Sequence, residues 1–143
     1  MEHIALELLQ FLQQGNLLLE QMISDAALHW QISPAEARIL LFLFSKPKLN
    51  TAKEIARHCG MSKASVSGSV LKLTTKGLLQ VDVDRSDRRF QHLTLTEHAT
   101  PILKMIQEKV LSVSHKLLSP LSQEDKNHLV SLLLQINGGT SVR

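Results

Sequence analysis

The sequence predicts a mainly α-helical fold with one small β-hairpin near the middle of the chain. Three observations support this prediction. Apolar residues recur at spacings of three and four over most of the chain, the spacing changes to two between residues 79 and 95, and capping residues precede the helical stretches. With 143 residues, of which 43% are apolar and 20% charged, the chain is long enough for one packed domain.

The first two helices are predicted from an apolar stripe and a capping sequence. Residues 2–30 form a long amphipathic helix, because apolar residues follow one another at spacings of four and three. This stripe consists of Ile4, Leu8, Phe11, Gly15, Leu18 and Met22. Ser33 then caps a second helix over about residues 34–45, with Pro34 at its first position. Glu36 is expected to return a hydrogen bond to the cap.

A helix-turn-helix is predicted next along the chain. Thr51 and Glu54 form another capping sequence, and the short helix that they start ends at Gly60. Ser62 caps a further helix, which runs to about Lys76 and is stopped by the glycine after it. The residues predicted to pack between the two helices are Ala52, Ile55 and Ala56 against Val66, Val70 and Leu73. A short helix, a tight turn and a second capped helix together form a helix-turn-helix.

A β-hairpin is predicted directly after this pair of helices. Apolar and polar residues alternate in "LLQVDV" and in "FQHLTL", and the polar hexapeptide "DRSDRR" lies between the two runs. The pattern indicates two short strands joined by a long charged tip. A helix-turn-helix followed at once by such a hairpin is a winged helix.

Two more helices are predicted in the last third of the chain. A stripe from Ile102 to Leu117 marks the fifth helix, and Pro120 separates it from a sixth that "SQED" caps. The first, fifth and sixth helices carry apolar stripes outside the helix-turn-helix, so these stripes must be buried against each other or against a second chain. We therefore expect a homodimer. The predicted single domain has dimerisation helices at 1–30 and 100–137, a winged-helix lobe at 31–99 and a patternless tail at 138–143.

Positive charge is concentrated in the middle of the chain. Residues 46–91 contain ten Lys or Arg and four Asp or Glu, a net charge of +6, whereas the remaining six basic and nine acidic residues give −3. A basic segment that overlaps a helix-turn-helix attracts a polyanion such as nucleic acid. Taken alone, the imbalance is equally consistent with a solvated surface.

Two segments of the chain carry a family resemblance. "NTAKEIARHCGMSKASVSGSVLKLTTKGLL" contains a short helix and a second helix that ends in Lys-Gly-Leu, and "DRSDRRFQHLTLTEHA" places Asp84, Asp87, Arg89 and the Leu95-Thr96 pair at characteristic spacings. In these features the chain resembles the MarR family of transcriptional regulators, and the likeness runs from the first helix to the last. The resemblance implies a homodimeric, sequence-specific double-stranded DNA-binding regulator, a ligand-responsive repressor acting on a pseudo-palindromic operator.

The resemblance also implies which residues meet DNA. The recognition helix enters the major groove, where small hydroxyls and lysines suit phosphates and base edges. The DNA-binding residues expected on this basis are Thr51, Ser62, Lys63, Ser65, Ser67, Gly68, Lys72, Arg85, Arg88 and Arg89. Arg88 is expected in the minor groove and Arg85 at phosphate. Arg89 is expected to hold the tip's shape by pairing with Asp84 or Asp87. The alternative for all ten residues is that they do not contact DNA, and that their side chains only cap helices or lie solvated at the surface.

The chain departs from the family pattern at two positions. Gly68 stands where the family often carries an arginine or another long polar residue on the groove-facing side of the recognition helix. This glycine either removes a contact to DNA or permits a closer approach to it. Ala99 replaces a glycine that commonly follows the wing, and Pro101 comes soon after it. The two together predict a bent or late start of the fifth helix.

The resemblance further implies a pocket for a small, often phenolic or anionic effector near the junction of the dimerisation helices and the DNA-binding lobe. His29, Trp30 and Arg38 are the candidate residues, with packing as the alternative for Trp30. If an effector binds there, it acts by favouring a separation of the recognition helices that mismatches the DNA half-sites. Cys59, the single cysteine, is predicted to be a small buried core residue.

Other functions are disfavoured by the sequence. "SVLK" matches the Ser-x-x-Lys pattern of penicillin-recognising enzymes, but the accompanying motifs of those enzymes and the common nucleotide-binding loops are missing, so we expect neither an enzyme nor a cofactor. The seven histidines do not have metal-binding spacings, which predicts no metal site. With no apolar run that could span a membrane and no signal peptide, a cytoplasmic protein is expected. The alternative function is a winged-helix module that binds an acidic protein partner.

Overall fold

The computed structural model describes residues 1–139 and shows a mainly helical chain with one antiparallel hairpin, as the sequence predicts. The elements in chain order are α1 (Glu2–Trp30), α2 (Pro34–Ser45), α3 (Ala52–Cys59), α4 (Lys63–Thr75), β1 (Leu79–Val83), β2 (Gln91–Leu95), a 3-10 turn (Glu97–Ala99), α5 (Thr100–Leu118) and α6 (Gln123–Gly139). Helix α6 runs past position 138, where the tail is predicted to start. The rest of that tail, residues 140–143, lies outside the described residues.

The predicted caps start four of the helices. The hydroxyl of Ser33 accepts a hydrogen bond from Glu36 N at 3.1 Å, and the hydroxyl of Ser62 accepts one from Ser65 N at 3.1 Å. Thr51 and Glu54 form the complete reciprocal capping box, and Ser122 caps α6 through Asp125 N. Each cap satisfies a backbone N–H that the first turn of a helix cannot pair internally. Local sequence therefore sets where these helices begin.

The carboxylate of Glu36 does not return to the Ser33 cap, and that prediction was wrong. Its Oε2 instead accepts a hydrogen bond from Lys76 Nζ at 2.7 Å, and Glu36 is only 2% exposed. A buried carboxylate requires a cationic or hydrogen-bonding partner. Lys76, at the C-terminal end of α4, supplies it from 40 residues away in the chain. The ion pair ties the end of α4 to the start of α2.

The chain divides into two compact units, Met1–Glu108 and Lys109–Arg143. The core of the first unit is aliphatic, because aromatic residues are only 3% of the sequence. Its most deeply buried side chains include Ile23, Ile39, Leu40, Leu43, Ile55 and Leu73. Helix α2 lies at the centre of this unit, since it packs against α1, α3, α4 and β2. The helix-turn-helix and the hairpin are thus built on one shared core.

The predicted packing between α3 and α4 is largely confirmed. Ile55, Val66 and Leu73 are fully buried, and Ala56 and Val70 pack against the same core. Ala52 does not, because it is exposed at the first position of α3, ahead of the stripe that faces inward. Its place on the inner face was predicted wrongly.

The junction between the hairpin and α5 is compact. A 3-10 turn over Glu97–Ala99 follows β2, and α5 begins at Thr100 rather than at a later position. Ala99 is fully buried in this turn, and Pro101 falls in the first turn of α5, where its missing N–H costs no hydrogen bond. The 3-10 turn over Glu97–Ala99 is where the chain changes direction between the hairpin and α5, and the helix itself begins at Thr100.

Much of the apolar surface of α1 has no partner within the first unit. Residues 1–17 are all exposed, including Leu8 at 52% and Phe11 at 60%, whereas Ile23, Ala26 and Ala27 near the C-terminal end are buried. In the second unit, Leu132 and Leu133 of α6 are also exposed. Burial of exposed apolar side chains against another surface is favourable because it removes them from water.

Candidate nucleic-acid interface

Helices α3 and α4 form the predicted helix-turn-helix. Gly60 ends α3 in the left-handed conformation, with φ of 63°, and Ser62 starts α4 two residues later. Glycine tolerates this conformation without strain, which permits the tight turn. The Met61 N–H donates to Ala56 O and closes the end of α3. This turn fixes α4 on the surface of the first unit.

One face of α4 is buried and the opposite face is open. Val66, Ser69 and Leu73 point into the core. The other residues of α4 up to Thr75 are exposed, except for the half-buried Val70. The predicted DNA-binding residues of this region, all of which are exposed, are Ser62, Lys63, Ser65, Ser67, Gly68 and Lys72. The structure thus places these six residues together at the start and along the outer surface of α4.

The predicted DNA-binding hydroxyls differ in whether their hydrogen is free to donate a hydrogen bond to DNA. Ser62 Oγ accepts the capping hydrogen bond from Ser65 N, so its own hydrogen remains available. Thr51 Oγ1 donates to Glu54 Oε2 at 3.0 Å and accepts from Glu54 N at 3.3 Å. Because its hydrogen is already used, Thr51 serves the α3 cap first. Ser67 lies beside the wing, in a cleft of about 360 Å³ that Val81 and Gln91 also line.

Gly68 is not needed for packing inside the protein. A Cβ built at this position meets no atom within 4 Å, and its φ is not left-handed. The glycine therefore leaves open space on the outer face of α4. Leu71 lies one turn further along the same helix and is 68% exposed. Leu71 was not predicted as a site residue. The sequence feature that could have indicated it is an apolar residue outside the buried stripe of α4.

The wing tip is held by a network of aspartate side chains. Asp84 Oδ1 accepts hydrogen bonds from Ser86 N at 2.8 Å, from Ser86 Oγ at 2.6 Å and from Asp87 N at 3.3 Å. Asp87 in turn accepts from Arg89, with Nε at 3.0 Å and Nη2 at 2.8 Å from its two oxygens. Of the two partners predicted for Arg89, the structure selects Asp87. Arg89 thus shapes the tip.

These hydrogen bonds shift the titration of the aspartates. The hydroxyl of Ser86, followed by the ring of His92, lowers the pKa of Asp84 far below its ordinary value. The Arg89 guanidinium lowers the pKa of Asp87 in the same way. A depressed pKa in the folded state means that the stabilisation is present at neutral pH and is lost as the pH falls through that pKa. The tip is therefore intact throughout the neutral range.

Arg85 and Arg88 are exposed on the same tip. Within residues 1–139 neither guanidinium has an ion-pair or hydrogen-bonding partner, in contrast to Arg89. Their positive charge is available to an external anion. The structure thus brings all ten predicted DNA-binding residues onto the helix-turn-helix and the wing, and separates those with free donors from those engaged internally.

His92 and Asn50, which were not predicted as site residues, connect the wing to the loop before α3. His92 on β2 lies between Asn50, at 2.8 Å from its Nδ1, and Asp84, at 3.0 Å from its Nε2. The backbone of the Asn50 loop is also tied to β2, because Leu93 N donates to Asn50 O at 2.8 Å. Asn50 and His92 are 42 residues apart in the chain, and no local sequence pattern predicts that their side chains meet.

The candidate effector residues are not brought together. Arg38 pairs with Glu20 and lines a cleft of about 380 Å³ between α1, α2 and α3, together with Phe42, His58 and Cys59. His29 and Trp30 are not among the residues that line this cleft. Their rings contact each other edge to face at 5.3 Å.

Trp30 and Cys59 both pack against the core, as the packing alternative predicts. Trp30 Nε1 is buried without an acceptor in residues 1–139. Cys59 is half-buried rather than fully buried, and burial raises the pKa of its thiol although the charge of Arg38 acts in the opposite direction. A raised pKa keeps the thiol protonated at neutral pH and lowers its reactivity.

Residues 1–139 contain no cluster of three or more His, Cys, Asp or Glu side chains that could hold a metal ion. None of the described helices combines the length and apolar character that a membrane span requires.

Comparison with known proteins places these features in a family context. The model of the MarR family matches residues 30–89, which cover α2, the helix-turn-helix and most of the wing. The regulator TcaR of Staphylococcus aureus, described as an HTH-type transcriptional regulator, is 28% identical over 130 residues; the match covers 90% of this chain and 85% of TcaR.

Solved structures share the fold over nearly the whole chain. A MarR-family protein from Bacillus stearothermophilus superposes with a TM-score of 0.76 at 18% identity, covering 99% of this chain and 98% of that one. A variant of MepR from S. aureus, solved bound to an oligodeoxyribonucleotide, superposes with a TM-score of 0.61 at 19% identity, covering 91% and 94%. At such identities the likeness establishes the winged-helix fold.

Proposed function

We propose that the chain, which is similar to the MarR family over residues 30–89 and to MarR-family structures over nearly its whole length, is a DNA-binding transcriptional regulator that acts as a homodimeric, ligand-responsive repressor on a pseudo-palindromic operator. The proposal is carried by the open α4 surface together with a structured wing on which Arg85 and Arg88 have no hydrogen-bonding or ion-pair partner among residues 1–139. Helix α4 is proposed to enter the major groove while the wing follows the backbone to the adjacent minor groove.

The charges of the interface support DNA as the partner. Lys63 and Lys72 are exposed on α4, whose outer face otherwise carries small side chains near its start. Arg85 and Arg88 are exposed on the wing. Lysine and arginine contacts to phosphate release condensed counterions, so they supply affinity without reading sequence. The serines of α4 and Leu71 are proposed to face base edges, since hydroxyls bond either bases or phosphates and apolar side chains contact thymine methyl groups.

A homodimer is proposed to bury the apolar residues that the isolated chain exposes. Ile4, Leu8 and Phe11 of α1 are exposed and lie on the stripe that the sequence predicts to be buried, and α6 adds Leu132 and Leu133. A two-fold dimer presents two copies of α4 to two half-sites about one helical turn, or roughly 34 Å, apart. Operator symmetry then mirrors protein symmetry.

The effector is proposed to bind in the Arg38 cleft, which offers a cation, aromatic surface and a volume of about 380 Å³. Glu20 already neutralises Arg38, so an anionic ligand must displace that carboxylate. Such displacement would alter the contact between α1 and α2 and thereby the separation of the recognition helices. Replacing Arg38 with methionine should abolish release of DNA by any anionic effector found in a screen.

The alternative function, a winged-helix module for an acidic protein partner, remains a distinct proposal because the same basic surface would serve it. Selection of bound sequences from random double-stranded DNA with the purified protein separates the two. A palindromic consensus supports the repressor. If no sequence is enriched, and binding is weak with no preference for a palindrome, the acidic-partner function is the better explanation.

Replacing Arg88 with alanine should weaken operator binding roughly fivefold and reduce the dependence of log K on log salt concentration by about two per dimer, because each chain loses one unpaired guanidinium at DNA. Fluorescence anisotropy titrations at several salt concentrations measure both effects. Lys116→Ala removes an equal charge from α5 in the second unit and serves as the control. Equal behaviour of the two variants would remove Arg88 from the interface.

Replacing Gly68 with alanine should raise the free energy of unfolding by about 1 kcal/mol, because alanine favours a helix interior and its Cβ meets no atom within 4 Å. Thermal unfolding measures this. Gly60→Ala should act in the opposite sense, since φ there is 63°. A DNA titration of Gly68→Ala then separates the two roles of this glycine. Weaker binding indicates close approach of α4 to the groove, and unchanged binding indicates only a missing contact.

A further inference from the structure

His92 connects two segments that both belong to the candidate DNA-binding surface. Its Nδ1 lies 2.8 Å from Asn50 Oδ1 in the loop before α3, and its Nε2 lies 3.0 Å from Asp84 Oδ2 at the base of the wing tip. The His92 side chain is 39% exposed and that of Asp84 is 30% exposed, so water screens this contact only in part. His92 itself is not among the proposed DNA contacts.

With the Asn50 amide oriented as it is here, an oxygen atom faces each ring nitrogen of His92. A neutral imidazole has one N–H donor, whereas an imidazolium has two. The carboxylate of Asp84 can only accept, because the hydroxyl of Ser86 and the ring of His92 hold its pKa far below the ordinary value. With Asn50 Oδ1 as the second facing oxygen, the arrangement is fully satisfied when both ring nitrogens carry a proton.

The two partners of His92 control the two elements of the interface. Asn50 directly precedes Thr51, the N-cap of α3. Asp84 uses its other oxygen, Oδ1, to fold the turn that carries Arg88. The ring therefore joins the start of the helix-turn-helix to the tip of the wing through charge-assisted hydrogen bonds, which are stronger than neutral ones.

We propose that His92 is a positioning residue for DNA binding: as an imidazolium it clamps the wing to the start of α3, and on losing its proton it releases the Asn50 side of the clamp. This inference rests on the proposed DNA-binding function. A wing that is already ordered costs less to immobilise on DNA, so the protonated form binds more tightly. Affinity should therefore fall as the pH rises and the His92 ring loses its second proton.

The charged groups around β2 are consistent with a positive ring. Asp82 is the cross-strand partner of His92 in the hairpin, and Asp84 contacts the ring directly. On α2, Glu36 and Arg38 are paired with Lys76 and Glu20. The charged or titratable residues of α3, which also packs against β2, are Lys53, Glu54, Arg57, His58 and Cys59, and the Glu54 carboxylate accepts a hydrogen bond from Thr51. Of these groups, the Asp84 carboxylate is the one that contacts the His92 ring.

Anisotropy titrations of an operator duplex between about pH 5.5 and 8.5 test the proposal. Wild type should lose about tenfold in affinity over this range, the value of one charge-assisted interaction. His92→Gln should bind at every pH with the weaker affinity of wild type at high pH. Asn50→Asp should move the wild-type fall to higher pH, because a second carboxylate holds the ring proton more strongly. His128→Gln on α6 is the matched control and should keep the wild-type profile.

Nitrogen NMR of the His92 ring provides a readout independent of DNA. Both ring nitrogens should be protonated at pH 6 in the free protein, and one should lose its proton in step with the fall in affinity. A neutral ring at pH 6, with the Asn50 amide donating to it, would overturn the proposal. So would parallel pH profiles for wild type and His92→Gln. Absence of DNA binding by wild type at every pH would instead contradict the proposed function.

Discussion

Replacing Lys76 with methionine should lower the free energy of unfolding by about 3 kcal/mol, because it leaves the carboxylate of Glu36 buried without its cation. Glu36 is 2% exposed, and Lys76 Nζ donates to it at 2.7 Å. The side chain of Lys76 is itself 38% exposed, which places the expected loss at the lower end for a broken buried pair. Chemical denaturation at neutral pH measures the change.

Lys72→Met is the matched control for this prediction. Lys72 lies one helical turn earlier on α4 and is exposed, so its replacement should change the free energy of unfolding by less than about 0.5 kcal/mol. The double variant Glu36→Gln with Lys76→Met should recover part of the loss, because a neutral amide is less costly to bury than a carboxylate. Equal stability of Lys76→Met and Lys72→Met would show that Glu36 does not depend on Lys76.

Replacing Phe11 with aspartate should convert the proposed dimer to monomer and weaken binding to a two-half-site operator by about 100-fold or more, because linkage of the two recognition helices is lost. Phe11 is 60% exposed in the single chain and lies on the apolar stripe of α1. A charge at this position would have to be desolvated in the interface. Analytical ultracentrifugation gives the oligomeric state, and titration of the operator gives the affinity.

The control for the dimer prediction is Gln13→Asp, which adds the same charge about 200° around α1 from Phe11, on the opposite side of the helix. It should leave both the dimer and the operator affinity unchanged. Binding of Phe11→Asp to a duplex with a single half-site should match that of wild type, since the recognition helix itself is intact. A Phe11→Asp variant that remains dimeric would place the interface elsewhere.

The helices, their caps and the hairpin could be predicted from the sequence because local interactions determine them. Ser33, Thr51 and Ser62 cap the backbone within three residues, and glycine at position 60 supplies the left-handed turn. The alternation of apolar residues sets the strands in the same way. Position along a helix or strand then decides which residues are exposed on α4 and at the wing.

Pairs that form between distant segments could not be predicted in this way. Glu36 was expected to bond its neighbouring cap, but burial brings it to Lys76 instead. His92 and Asn50 meet only after the hairpin has packed beside α3. Arg38 was predicted to line a cleft, and it does. Cys59 lines the same cleft but was predicted to lie in the core, because residue spacing does not reveal which side chains border a cavity.

The most direct test of the central claim is a salt-dependent titration of the purified protein on the duplex recovered by selection from random DNA. We expect two chains to bind each palindromic duplex, about 1,000-fold more tightly than a scrambled duplex of equal length. We also expect log K to fall linearly with log salt concentration, with a slope that corresponds to several phosphate contacts. Equal affinity for the selected and scrambled duplexes, or one chain bound per duplex, would contradict the central claim.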